Sequence, residues 1–499
     1  MTVSGDLPQQ LRAALVEAGF TYDGVAGVLG GQAHEALSRN ETTPGLRRTR
    51  GGSPLETLTR MFLLQTPVEL AAAERALPGL LDRLSAQGLV EQSVGEVAAR
   101  LDVRPYAADD GAADETGDGT VDRGMWVVSD LTPGLDGGPQ RVGSDHVLGI
   151  SAASTSLAQL TIREPVGRAL DLGSGCGVQA LHLARHADAV VATDVNSRAL
   201  WMTAFNAALN EVADSVDVRE GSFFQPVAGE RFDLIATNPP FVISPATGER
   251  LVYRDSGLPG DRVVEDIVRA APDHLTDGGW CQVLANWVIA RHQPWAERLA
   301  PWVADDCDAL VVQREVVDPA TYVELWLKDA GQHGGPDYVA RYDTWLSWFE
   351  DQGIEAIGFG WVNLRKRADS AGTRTFLDWP YDVEQPIAPS ILEWGTALDA
   401  GVELGSHLVA RPDVLQETRG PVGVEDPDVI VLRQQRGLRR ARQVDTVEAA
   451  LVGACDGELS VGQIIDAVAE ILGFDAADAR DTYLPAVREL VAEGFLAPA

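Results

Sequence analysis

The sequence predicts an α/β protein built on a mostly parallel sheet with helices on both faces, flanked by small helical or winged-helix-like modules. Residues 124–380 alternate short β-branched runs with helical stretches, the pattern of strand–helix–strand crossovers. A glycine-rich turn, Gly173-Ser174-Gly175-Cys176-Gly177, leaves the first of those runs, where an open parallel sheet binds its ligands. At 499 residues the chain is also too long for one ordinary core, which makes two to four domains the natural expectation.

Residues 1–106 read as a helical, winged-helix-like module. Thr66-Pro67-Val68-Glu69 spells a helix start, with a Thr cap, Pro at the first helical position and Glu closing a capping box. Leu80, Leu81 and Leu84 follow, and Gly88-Leu89-Val90 marks a helix exit into a short apolar strand. Residues 107–122, AADDGAADETGDGTVD, have almost no large apolar side chain and read as a disordered acidic linker.

Residues 123–380 hold the sheet, with strands expected at RALDL (168–172), AVVAT (189–193), SVDVRE (215–220), FDLIAT (232–237) and WCQVLANW (280–287). Residues 381–499 read as a second α+β, winged-helix-like module. Ser460-Val461-Gly462-Gln463 is a capping box, and Ile464, Ile465, Val468, Ile471 and Leu472 follow at helical spacing. The closing run LPAVRELVAEGFLAP echoes PGLLDRLSAQGLVEQ near residue 78: amphipathic helix, Gly, apolar pair.

Forty Lys and Arg against 74 Asp and Glu give a net charge of −34, a surface that repels phosphate backbones. Two basic runs break the trend: Arg47-Arg48-Thr49-Arg50, and Arg433, Arg436, Arg439, Arg440 and Arg442. They could contact phosphates, but no aromatics interleave them, and pairing with the abundant carboxylates is the favoured reading. Cys176, Cys281, Cys307 and Cys455 form no CxxC pair, which argues against a disulfide framework and a structural zinc site. His182 and His186 are four residues apart but lack a third ligand, so no metal is expected. The N-terminus has no basic, then apolar, signal pattern, and no run of 18 apolar residues exists; a cytoplasmic protein without membrane contact is expected.

The glycine turn is G-x-G-x-G rather than the G-x-G-x-x-G that cradles a pyrophosphate. That spacing suits a methyl-donor cofactor, which needs room for an adenosine and a methionine chain. Gly173, Gly175 and Gly177 allow close backbone approach, and Asp171 just before them is placed to hold the ammonium or an ordered water. Asp194 ends the next strand and can accept from both ribose hydroxyls. Ser222, after the third strand, is the expected adenine contact, a weaker acceptor than a carboxylate.

FDLIAT runs into Asn238-Pro239-Pro240-Phe241. A planar amide or aniline-like nitrogen is a poor nucleophile because its lone pair is delocalised. An Asn side-chain oxygen and a Pro carbonyl can both accept from its NH2 and orient that lone pair toward a methyl group. The two prolines stiffen the turn, and Phe241 offers a flat face for stacking. Ser144-Asp145-His146-Val147-Leu148-Gly149-Ile150-Ser151, before the first strand, is a candidate cap over the methionine end of the donor.

The glycine turn with Asn238-Pro239-Pro240-Phe241-Val242-Ile243-Ser244-Pro245 resembles the class I, small-domain methyltransferases that carry an Asn-Pro-Pro-Phe/Tyr motif. Within them it looks most like the HemK/PrmC-like release-factor glutamine methyltransferases, especially their eukaryotic and archaeal branch. Gly257-Leu258-Pro259-Gly260-Asp261 and the turn Gly278-Gly279 match that pattern, and the resemblance covers roughly residues 140–330. It implies a Rossmann-like, seven-stranded sheet, S-adenosylmethionine as cofactor, and N-methylation of a planar nitrogen. A protein glutamine in a translation factor is the first expectation. The same motif serves guanine-N2 and adenine-N6 methylation in rRNA, tRNA or DNA, with the flanking modules then binding nucleic acid. The N-terminal module is expected to recognise substrate, so that its removal spares cofactor binding. Oligomeric state is not legible.

Overall fold

The computed structural model describes residues 5–107, 124–138, 143, 145–245, 257–368, 370–422 and 427–499. The expected linker at 107–122 lies, apart from Ala107, outside the described residues. The chain forms two compact units, one of Met1–Ala158 with Arg163–Trp379, the other of Gln159–Ile162 with Pro380–Ala499.

The first unit opens with helices Leu7–Glu17, Tyr22–Ser38 and Pro54–Leu58, the last running on as a wider turn over Thr59–Leu63. Strand β1 (Val68–Glu69), helices Leu70–Ala76 and Leu81–Ala86, and strands β2 (Val90–Ser93) and β3 (Glu96–Ala99) follow. These strands form a small sheet in the order β1–β3–β2. Gly88, at φ 77°, ends the helix before buried Leu89, as the sequence suggests. The helix start expected at Thr66 is displaced. Val68 and Glu69 pair with Val97 and Glu96, the helix begins at Leu70, and the Thr66 hydroxyl donates to Leu64 O (3.1 Å). Burying Val68 in the small sheet outweighs a local capping box worth ~1 kcal/mol.

Strands β4 (Leu101–Tyr106) and β5 (Met125–Asp130) then pair antiparallel. One hydrophobic cluster runs without a break from Leu11, Phe20, Phe62 and Leu84 through Trp126 and Val128 to Leu181, Met202 and Phe205. The N-terminal module therefore shares its core with the sheet-covering helices Val178–Leu183 and Ser197–Leu209.

The large sheet comprises β6 (Val166–Leu172), β7 (Ala187–Asp194), β8 (Val216–Glu220), β9 (Phe232–Thr237), β10 (Leu275–Ala290), β11 (Cys307–Val317), β12 (Ile354–Lys366) and β13 (Arg374–Asp378). Their order is β13–β11–β12–β10–β9–β6–β7–β8. All pairs are parallel except those of β12, which runs against β10 and β11. The sheet has eight strands rather than the seven expected, because β13 adds to β11 at the edge, Ala309 facing Arg374. Helices Pro319–Asp329 and Tyr338–Asp351 lie between β11 and β12. Chain direction across the sheet switches at β6, so the carboxyl ends of β6, β7 and β9 frame a crevice.

The second unit holds β14 (His407–Ala410), β15 (Val414–Arg419), β16 (Val429–Gln434), β17 (Ala441–Val444), β18 (Asp456–Ser460) and β19 (Leu496–Pro498), with helices Thr446–Ala454, Val461–Leu472 and Ala476–Ala492. Its own core includes Leu408, Leu432, Leu451, Ile465, Leu490 and Phe495. The Ser460–Gln463 capping box forms as read, Ser460 N donating to Gln463 Oε1 at 2.9 Å. Three arginines of its basic run meet carboxylates. Arg433 pairs with Glu417 (2.7 Å), Arg436 with Glu384 (3.2 Å), and Arg442 with Glu448, Glu489 and Glu493 (3.0–3.1 Å).

Candidate functional site

A cavity of about 540 Å³ lies over the ends of β6, β7 and β9. Its floor is the glycine turn. Gly173 (φ 80°) and Gly175 (φ 55°) line it, and a Cβ built on either would meet nothing within 4 Å. Gly173 N and Ser174 N both donate to Thr193 O at 2.9 Å, which ties the turn to β7. Gly177 does not line the cavity. It starts helix Val178–Leu183 at φ 80°, and a Cβ there would lie 2.8 Å from Thr203 Cγ2. Close packing of this helix start against Thr203 calls for glycine there.

Asp171 lines the cavity at 1% exposure and accepts from Ala180 N at 2.9 Å. Burial, which outweighs that hydrogen bond and is reinforced by the charge of Asp194, pushes its carboxyl up to about 7. Asp194 lies at the end of β7. Its Oδ2 accepts from Gly175 N (2.9 Å) and its Oδ1 from Asn196 N (2.8 Å). Burial raises its pKa as well. Both oxygens thus already serve the backbone, and each keeps a lone pair for a hydroxyl.

Asn238 follows β9 directly. Asn238, Pro239, Pro240 and Phe241 all line the cavity, and among the described residues Asn238 Oδ1 is buried without a hydrogen-bond partner. Leaving an acceptor so costs about 1–3 kcal/mol, which marks a group kept for a ligand or for strain. Thr237 Oγ1 donates to Leu172 O (2.6 Å) and so binds the ends of β9 and β6 together beneath it. Ile243 N donates to the Tyr322 hydroxyl (2.9 Å), which anchors the segment beyond the prolines, and Phe241 meets Trp326 edge-on at 6.1 Å.

Ser222 lines the cavity at its exposed rim. Beside it Phe223 holds φ 47°, a conformation rare for an aromatic residue. Sequence reading passed over Phe223 because nothing in its neighbours signals that backbone. Gln179 was also missed; its Nε2 donates to Ser154 O (2.7 Å), and both residues line the wall. Of the expected cap, Asp145 through Gly149 and Ser151 lie on the cavity, while Ser144 is outside the described residues. Helix residue His182 is buried against the Tyr106 ring (5.4 Å), which holds its pKa down near 3 through burial and neighbouring arginines. Among the described residues no three His, Cys, Asp or Glu side chains group as metal ligands.

A parallel sheet that switches at β6 and takes a single reversed strand, β12, between β10 and β11 is the class I methyltransferase fold. Domains of this class use S-adenosylmethionine, and the open glycine floor, the two acids and a cleft of ordinary ligand size fit that cofactor.

Residues 149–303 match the family described as the methyltransferase small domain. The chain is 36% identical over 132 residues to a release factor glutamine methyltransferase of Xylella fastidiosa, covering 24% of this chain and 47% of that protein. It is 37% identical over 125 residues to a ribosomal protein uL3 glutamine methyltransferase of Bradyrhizobium diazoefficiens, covering 23% and 39%. The chain thus spans about half the length, or less, of these curated relatives. Among solved structures, a ribosomal protein L11 methylase from Lactobacillus delbrueckii subsp. bulgaricus aligns at 15% identity and a TM-score of 0.26, over 44% of this chain and 81% of that one. Residues 17–100 and 393–498 match two families described as domains of unknown function, DUF7059 and DUF7782.

Proposed function

We propose that this protein is an S-adenosylmethionine-dependent N-methyltransferase acting on a planar nitrogen, the side-chain amide of a protein glutamine. The observation that carries this is the buried, unpartnered Asn238 Oδ1 in the cavity wall, one residue past β9. The relatives named above act, by their names, on release factors and uL3 glutamine.

The cofactor supplies an electrophilic methyl group. Gly173 and Gly175 would lie along it, Asp171 would face its ammonium, and Asp194 and Ser222 would take its ribose and adenine. Asn238 Oδ1 and the Pro239 carbonyl would accept from the two N–H bonds of the substrate amide. With both hydrogens held, the nitrogen lone pair is turned out of conjugation toward the methyl group. An amide oxygen is too weak a base to take the proton outright; Asn238 would orient the amide and stabilise the charge that develops on nitrogen, and the strongly acidic methylated nitrogen would then give up its proton to water. Pro240 stiffens the turn, and Phe241, backed by Trp326, gives the planar amide a flat wall.

Protein rather than nucleic acid is favoured as substrate by the net charge of −34 and by the carboxylates that engage Arg433, Arg436 and Arg442. Transfer of labelled methyl into an undermethylated cell extract tests the reading. Protease-sensitive label supports it, and nuclease-sensitive label replaces it with a base-amine methyltransferase.

A further inference from the structure

Gly149 lies in the cavity roof, and a Cβ there would come 2.4 Å from the Ser129 hydroxyl of β5. The approach is so close because the roof runs along the end of β5. Asp130 N donates to Val147 O (3.1 Å), and Val147 N donates to Asp130 Oδ2 (2.7 Å). Arg198 reaches the same carboxylate with Nε (3.2 Å) and Nη2, and Asn196 Nδ2 donates to Asp145 O (3.0 Å). Strand β5 therefore carries the roof.

Two things hold β5. Along one edge it pairs with β4, from Leu101 opposite Asp130 to Tyr106 opposite Met125. In addition, two asparagines one turn apart, Asn206 in helix Ser197–Leu209 and Asn210 capping its C-terminal end, take its backbone. Asn206 Oδ1 accepts from Val128 N (2.8 Å), and its Nδ2 donates to Val128 O (2.8 Å) and to Cys176 O (2.8 Å) in the glycine turn. Asn210 Oδ1 accepts from Trp126 N (2.9 Å), and its Nδ2 donates to Trp126 O (2.8 Å). Four helical residues rise ~6 Å and two strand residues ~6.7 Å, so a pair at i, i+4 can meet strand positions i, i+2. Each carboxamide replaces one residue of a missing neighbour strand. Trp126 in turn lies under Arg12 (5.0 Å) and donates from Nε1 to Phe20 O (2.7 Å), both in the N-terminal helical region.

We propose that strand β5 braces the roof over the methyl donor, with Asn206 and Asn210 as positioning residues that lock it to the glycine turn. This rests on the methyl-donor reading of the cavity but not on the identity of the acceptor.

The test uses the full chain and S-adenosylmethionine in isothermal titration, with hydrogen exchange over 125–130 and 145–151. Asn206→Ala/Asn210→Ala should weaken donor binding about tenfold or more, in line with two lost pairs of backbone hydrogen bonds, and speed exchange in both segments. Leu84→Ala, in the module's core but outside these contacts, is the control. It should lower Tm without a matching loss of affinity. Gly149→Ala leaves the asparagines in place and pushes the roof off Ser129; it should weaken the donor several-fold and serves if the double variant does not fold. Unchanged affinity in the folded variants overturns the proposal, as does an equal loss in Leu84→Ala at equal Tm. No donor binding by the unaltered chain would overturn the donor reading itself, and the roof's role with it. A protein-amide acceptor that proved wrong while these affinities moved as expected would leave the bracing role standing.

Discussion

Acidification should loosen the methyl donor through Asp171. Its carboxyl is 1% exposed, and burial lifts it to about 7 against the Ala180 N–H bond that would lower it. A donor ammonium beside Asp171 selects the ionised form, so affinity follows the ionised fraction in the free protein. That fraction is about half at pH 7, about a tenth at pH 6 and about a hundredth at pH 5, or ~1.4 kcal/mol per pH unit. Asp194, raised in the same direction, adds to the fall. The sign for folding is opposite. A carboxyl whose folded pKa lies above its unfolded value stabilises the free protein at low pH, and that stability is lost as pH rises from about 4 through about 7. Asp171 therefore adds stability to the free protein on acidification in that window, opposed by buried His182, whose lowered pKa costs stability as pH falls below its unfolded value, while the donor complex weakens. Titration calorimetry from about pH 5.5 to about pH 8.5, in two buffers of different ionisation enthalpy, reads both affinity and proton release. Close to one proton should leave near pH 6 and almost none above pH 8. Asp171→Asn should bind weakly at high pH and lose most of the dependence. Wild-type affinity that stays flat between pH 6 and pH 8 would refute the placement of the ammonium.

Asn238→Ala should abolish methyl transfer while donor affinity by calorimetry stays within a few fold; near-normal turnover would remove Asn238 from the chemistry. Asp194→Ala should weaken donor binding by about 1–3 kcal/mol, the scale of lost charge-assisted hydrogen bonds. It should also lower Tm, because Gly175 N and Asn196 N lose their acceptor. Unchanged affinity would put the ribose contact elsewhere. Gly177→Ala should lower stability by at least ~1–2 kcal/mol for its positive φ alone, with further loss from Thr203 Cγ2 at 2.8 Å. Denaturant unfolding without a shifted midpoint would show that the helix start relaxes freely.

The strands most visible in the sequence are those whose apolar runs are bounded by turn residues. FDLIAT is one, and β9 occupies Phe232–Thr237. The edge strand β13 escaped because RTFLD is half-exposed and short, and only its pairing with β11 makes it a strand. Thr66-Pro67-Val68-Glu69 misled because a local capping pattern competes with a tertiary pairing that sequence spacing does not display. Of the cavity lining, Gly173, Gly175, Asp171, Asp194 and Asn238-Pro239-Pro240-Phe241 were legible from residue type and position. Residues that act through backbone shape or through another element were not. Phe223 matters by its φ, Gly149 by its neighbour Ser129, and Asn206 and Asn210 by a strand some eighty positions earlier in the chain. The two asparagines look in sequence like the polar face of an ordinary helix.

The most direct test of the account is to incubate the purified chain with labelled S-adenosylmethionine and an undermethylated cell extract, digest the labelled fraction, and identify the modified residue by mass spectrometry. Label is expected in protein, released by protease and recovered as glutamine methylated on its side-chain nitrogen, and absent with Asn238→Ala. Label recovered as a methylated base, on a carboxylate or hydroxyl oxygen, or at equal level with Asn238→Ala would contradict it.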